Sequence, residues 1–249
     1  MKVIRFAALL LSLLCALSLA ACTKEPDEPL VPTTKPSSPI TDEGNPATTL
    51  YTSGAVGDSA LTYELYRDGT LRLKGEGDMP NMILGAESGN AQQPWFDYIG
   101  NDSSVTITRV VVEDGITALS DLSFKNCINL KRVELGAGIT DIPRECFANC
   151  ISLQTVVAKS AVTVQDVAFQ NCKALKTVTL SASLQTVWDG AFHNTVTGDT
   201  KLNVKLAGTL EEWFAARAAM DADADDELAI WDGNDAFIAA LDSVTFVGK

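Results

Sequence analysis

Phe124-Lys-Asn126-Cys127-Ile-Asn-Leu130, Phe147-Ala-Asn149-Cys150-Ile-Ser-Leu153 and Phe169-Gln-Asn171-Cys172-Lys-Ala-Leu175 are three spellings of one phrase, and Phe192-His-Asn194-Thr195 is a fourth that has lost its cysteine and leucine. The phenylalanines recur at intervals of 23, 22 and 23 residues. A period in this range describes a supersecondary unit that cannot bury its apolar side alone and must stack on its neighbours. The chain is therefore expected to wind into a solenoid, with the repeated side chains lined up in columns inside it.

Working outward from the phenylalanines, an apolar residue stands five positions before each: Leu119, Ile142, Val164 and Val187. Alternating segments supply a second inward stripe, Val110-x-Val112, Val133-x-Leu135, Val156-x-Ala158 and Val178-x-Leu180. Period-two alternation with β-branched residues predicts one short strand per coil, each pairing in parallel with the next. The interleaved positions then face outward and form the surface most available to a partner: Arg109 and Val111, Arg132 and Glu134, Thr155 and Val157, Thr177 and Thr179. Each motif asparagine is expected at a tight corner, where its amide bridges one coil to the next around buried backbone.

These units resemble the BspA-like leucine-rich repeats of bacterial surface proteins, written roughly apolar-x-x-Ile-Gly-x-x-Ala-Phe-x-x-Cys-x-x-Leu-x-x-Val-x-Leu. The resemblance covers about residues 105–200. It implies a β-rich solenoid of about four coils, a leucine-rich repeat with parallel short strands. The usual glycine of the pattern is replaced by Ser120, Pro143, Gln165 and Trp188. Trp188 thus becomes the best single candidate for an exposed contact.

Residues 51–104 resemble the N-terminal module of that family and read physically as a β-hairpin cap. Alternation on both sides of Asp68-Gly69 signals a two-residue turn. Covering the first coil would protect an open sheet edge. Residues 81–93 look like an inserted surface loop. Residues 201–249 are expected to form a C-terminal α/β cap: Leu202-x-Val204-x-Leu206 gives a strand, and Thr209 and Glu212 have capping-box spacing at a helix start. Gly208-Thr209-x-Glu211-x-Trp213 resembles the closing segment of such repeats, implying an inward Trp213, with Trp231, Phe237, Leu241 and Val244-x-Phe246 completing the cap.

At the other end, Lys2 and Arg5, an apolar run from Phe6 to Leu11 and the small residues before Cys22 make a secretory signal over residues 1–22. Leu19-Ala-Ala-Cys22 resembles a bacterial lipobox, which implies lipid attachment at Cys22. Two or more acyl chains hold a protein stably on a bilayer at about 0.8 kcal/mol per buried methylene. Residues 23–50 contain six of the nine prolines. Such a segment favours extended polyproline II at about 3.1 Å per residue and serves as a tether. Acidic Glu25, Asp27 and Glu28 are similar to surface-export signals of some lipoproteins. The expected location is the bacterial outer membrane, at the cell surface or facing the periplasm.

The chain carries 19 bases against 32 acids. That balance disfavours nucleic acid as a partner, and leaves the lipid anchor as the route to a membrane. Outside the signal and Cys22 the cysteines are Cys127, Cys146, Cys150 and Cys172. An exported protein invites disulfides, and adjacent coils lie close enough to allow them, but buried free thiols fit the repeat position better. Asp221, Asp223 and Asp225 have the spacing of a weak calcium loop, with Asp226 where glycine is needed. No cofactor is implied, and one histidine with no nucleophile motif argues against an enzyme. The expected function is recognition of a protein partner in adhesion or host interaction, with glycan capture and a purely structural envelope role as the alternatives.

Overall fold

The computed structural model describes residues 49–81, 93–98, 105–195, 201–220, 229–230, 234–241 and 243–248, all within the compact unit that spans residues 46–249. The second unit, residues 4–45, lies outside the described residues. So do Cys22, most of the tether, residues 82–92 and the aspartates 221, 223 and 225.

The chain opens with β1 (Leu50–Ala55), β2 (Thr62–Tyr66), β3 (Thr70–Lys74) and β4 (Gly77–Asp78). It then alternates longer and shorter strands: β5 (Arg109–Val112), β6 (Ile116–Ala118), β7 (Arg132–Glu134), β8 (Asp141–Ile142), β9 (Thr155–Val157), β10 (Thr163–Val164), β11 (Thr177–Ser181) and β12 (Thr186–Val187). The last part holds β13 (Asn203–Ala207), α1 (Leu210–Met220), β14 (Ala229–Ile230), α2 (Asp235–Leu241) and β15 (Thr245–Val247).

One nine-stranded sheet runs β1-β2-β3-β5-β7-β9-β11-β13-β15, antiparallel up to β3 and parallel from there on. A parallel four-stranded sheet, β14-β12-β10-β8, forms the other wall of the coils, and β4 pairs with β6 beside it. This is the solenoid the spacing predicts, and the sheet passes without a break through both caps. The predicted two-residue hairpin turn differs in detail. Three residues, Arg67, Asp68 and Gly69, separate β2 from β3, with Gly69 at φ 83° and its N–H donating to Tyr66 O at 3.0 Å. A three-residue loop with glycine in the left-handed region joins strands as well as a two-residue one, and Asp-Gly alone does not choose between them.

Every alternating valine, leucine and alanine assigned inward is buried, as are Leu119, Ile142, Val164 and Val187. The phenylalanines form a column: ring centroids lie 5.3 Å apart for Phe124 and Phe147, 5.4 Å for Phe147 and Phe169, and 5.1 Å for Phe169 and Phe192. Both caps extend it. Trp95 stacks on Phe124 at 5.6 Å and Phe237 on Phe192 at 4.7 Å, so six rings lie in register. Trp95 also donates its indole N–H to Ser123 O at 3.0 Å. Gln93, expected on a surface loop, is instead buried and donates to Ser120 Oγ.

Backbone N–H groups of the corner donate to the next coil at alternate residues, for example Phe147 to Ala168 O and Asn149 to Gln170 O. At the last corner the Asn234 side chain stands in for the missing coil. Its Oδ1 accepts from Phe192 N–H at 2.8 Å and its Nδ2 donates to Trp188 O at 2.8 Å, with the residue fully buried. The capping box forms as predicted, Glu212 N–H donating to Thr209 Oγ1 at 3.1 Å and Thr209 N–H to Glu212 Oε2 at 3.0 Å. Trp213, expected inward, is only half-buried, and the ring that closes the column is Phe237.

Two positions per coil adopt left-handed backbone. Asn126, Asn149, Asn171 and Asn194 do so at φ 63°, 62°, 59° and 54°, and Leu122, Glu145 and Val167, at φ 65°, 55° and 50°, occupy the column that Gly190 completes. Asparagine tolerates that region better than other chiral residues. The asparagine amides do form a ladder, each donating to the previous one at 2.7–2.9 Å. They lie at the surface or half-buried rather than in a buried corner, because the backbone there is already satisfied by the coil-to-coil bonds.

Candidate recognition face

Parallel pairing fixes which residues share the outer face of the large sheet. One row reads Thr70, Arg109, Arg132, Thr155, Thr177 and Asn203. The next reads Arg72, Val111, Glu134, Val157, Thr179, Lys205 and Thr245. Side chains in a row stand about 4.8 Å apart along the sheet. The eight strand residues assigned outward by alternation thus do share one face. Thr70, Arg72, Asn203, Lys205 and Thr245 join them unanticipated, since alternation marks a strand's faces but not which strand it will pair with.

The face changes character along its length. At the β5 and β7 end Glu134 accepts from Arg109 Nη2 at 2.6 Å and Arg132 Nε at 2.7 Å, both arginines remaining well exposed. Burial pushes the Glu134 carboxyl up, but the hydrogen bonds from Arg132 and Arg109 outweigh it and hold it below the ordinary carboxylate range. Towards β9 and β11 the face becomes uncharged, with Thr155, Val157 and Thr177 half-buried. Thr179, expected outward and available, is only 5% exposed. It is a short side chain between Val157 and Lys205 on the adjoining strands. Trp188 is exposed at 41%, as its place in the repeat suggests, yet it follows β12 in the smaller sheet and does not belong to this face.

Beside the face, a groove of about 500 Å³ lies where the strands turn, lined among others by Leu135, Val157, Lys159, Val162 and Ser181. Lys159 Nζ donates to Gly248 O at 3.0 Å there, reaching from the coil of β9 to the C-terminal segment past β11 and β13.

The thiols are removed from any site. Cys127, Cys146, Cys150 and Cys172 are free and fully buried, which resolves the choice the sequence left open. Cys150 and Cys172 donate S–H to Phe124 O and Phe147 O of the preceding coil, whereas Thr195, at the equivalent position, donates its hydroxyl to Phe192 O of its own coil. Burial pushes the Cys146, Cys150 and Cys172 thiols well up. Among the described residues no group of three or more metal-ligating side chains converges, and no helix is long and apolar enough to cross a membrane.

The register, the ring column and the two-walled coil agree with the family model described as "BspA type Leucine rich repeat region", which matches residues 101–215 in six copies. The repeat region belongs to the BspA-type leucine-rich repeats. Six BspA-type copies, against the four that the phenylalanine motif reveals, accord with a sheet that continues on both sides of the motif-bearing coils. Among solved structures the chain is similar to a leucine-rich cell surface protein from Faecalibacterium prausnitzii, with 23% identity over 66% of this chain and 42% of that one and a TM-score of 0.40. A leucine-rich repeat protein from Eubacterium ventriosum shows 19% identity over 64% of this chain and 45% of that one, TM-score 0.43. The leucine-rich repeat protein of T. pallidum shows 20% identity over 71% of this chain and all of that one, TM-score 0.29. The chain thus spans less than half the length of the first two. No curated protein matches it.

Proposed function

We propose that this BspA-type repeat protein is a lipid-anchored recognition module that binds a protein partner through the outer face of its large sheet, without catalysing a reaction. The observation that carries this reading is the pair of outward rows from β3 to β15, a continuous surface of threonine, valine and arginine with no enzyme-like constellation in it. Neither row contains an aromatic side chain, and stacked aromatics are what capture of a sugar ring would want. Six parallel steps of about 4.8 Å and strands about 10–13 Å long give roughly 300–400 Å². A standard interface takes about 800 Å² from each partner. A single copy therefore binds weakly through this face alone, and many copies anchored through Cys22 at a bacterial outer membrane would supply the affinity by avidity.

The test is binding of the full chain to immobilised extracellular-matrix proteins and, in parallel, to a glycan array. The expected result is a protein hit that Thr177→Arg and Val157→Arg each weaken at least tenfold without loss of folding. Binding confined to the glycan array, or a protein hit that both substitutions leave unchanged, would refute the assignment of the face.

A further inference from the structure

The chain is strongly acidic, yet its charges are sorted by position within the coil. In the stretches from Asn126, Asn149 and Asn171 to the ends of β7, β9 and β11, together with β5, there are five bases, Arg109, Lys131, Arg132, Lys173 and Lys176, and one acid, Glu134. In the return stretches, 113–124, 135–147, 158–169 and 182–192, seven acids face two bases. The sorting is spatial as well as sequential. Backbone bonds from Gln154 to Lys131 O and from Lys176 to Gln154 O stack these three residues in one column at the edge of the recognition face, with Lys131 and Lys176 about 10 Å apart over two coil steps.

Carboxylates in the return stretches take up nearby cations: Arg144 pairs with Asp121 and Glu145, and Lys125 with Glu145. None of the ion pairs among the described residues uses Lys131, Lys173 or Lys176, and all three are exposed. Ile151, 46% exposed, occupies the position of the coil that Lys173 occupies in the next, two residues after the motif asparagine. The exposed isoleucine thus stands one coil step from Lys173 and three residues before Gln154, the residue that lies between Lys131 and Lys176 in their column.

From this we infer that the edge built by Lys131, Ile151, Lys173 and Lys176 docks an acidic peptide segment of the partner, with carboxylates on the lysines and an apolar side chain on Ile151. The inference rests on the protein-recognition reading above and names the chemistry of the partner. Charge complementarity selects an anion, since a basic partner would be drawn to the carboxylate-rich return side instead. The isoleucine selects a peptide over a purely charged polymer, which has nothing to place against an apolar side chain. Separation of charge on a molecule of net acidic character also steers such a segment to this edge as it approaches.

The experiment uses the full chain and three probes: a twelve-residue peptide of glutamate and leucine, its glutamine-for-glutamate counterpart, and polygalacturonate. The expected result is binding of the acidic peptide that falls as salt is raised, at least tenfold weaker binding of the glutamine peptide, and at least tenfold loss on Lys131→Glu, Lys173→Glu and Lys176→Glu combined. Ile151→Ser should weaken the peptide and leave polygalacturonate unaffected. Equal binding of the two peptides, no effect of the lysine reversals, or polygalacturonate bound as tightly as the acidic peptide would each overturn the inference. A partner that Thr177→Arg abolishes but the lysine reversals spare would leave the face assignment standing and remove this one.

Discussion

Phe147→Ala tests the ring column at its centre. Phe147 is fully buried, with Phe124 and Phe169 stacked on its two faces at 5.3 Å and 5.4 Å and planes within 8° and 5°. Truncating a buried phenylalanine costs about 3–5 kcal/mol, from lost transfer energy and from the cavity left behind. This site belongs at the upper end, because each stacked pair contributes about 0.5–1.5 kcal/mol beyond area and both pairs are lost together. Coils above and below are fixed by their own backbone ladders, so they have little freedom to close the gap. Phe96→Ala is the control: that ring is 37% exposed, takes no part in the column, and should cost under about 1 kcal/mol. Urea unfolding followed by tryptophan fluorescence reads both, Trp95 being the ring at one end of the column. A loss below about 1.5 kcal/mol for Phe147→Ala, or one equal to that of Phe96→Ala, would mean that the column does not hold the coils together.

Val167→Asn should stabilise the protein by about 0.5–1 kcal/mol in the same assay, because a β-branched residue at φ 50° carries strain that asparagine relieves. Asp141 is raised above the ordinary carboxylate range, first by burial, against a hydrogen bond from Gln165, and its Oδ1 has no hydrogen-bond partner among the described residues. The folded state then holds the proton to higher pH than the unfolded state, so stability falls as pH rises from the unfolded value through the folded one. Asp141→Asn should remove that fall, seen as a urea midpoint at pH 7 that is higher, relative to the midpoint at pH 4, than it is in the parent. The four repeat-region thiols should resist a thiol reagent in the folded protein and react fully in denaturant, and a disulfide found by mass spectrometry would refute their assignment.

The repeat spacing of Phe, Asn, Cys and Leu by itself determined the coil, its inward residues and its parallel strands, since a side chain that must meet its own copy one turn away leaves a periodic mark. The same logic made the asparagine ladder legible but misplaced it, because spacing says that amides align and not whether water reaches them. Tertiary structure alone decided that Trp95 and Phe237, outside any repeat, finish the ring column, and that Asn234 supplies the bonds of an absent coil. It also decided that Thr179 is covered and that Trp188 stands on the other wall. Those outcomes depend on which segments meet across the sheet, and local alternation, which repeats every two residues, holds no information about the neighbour.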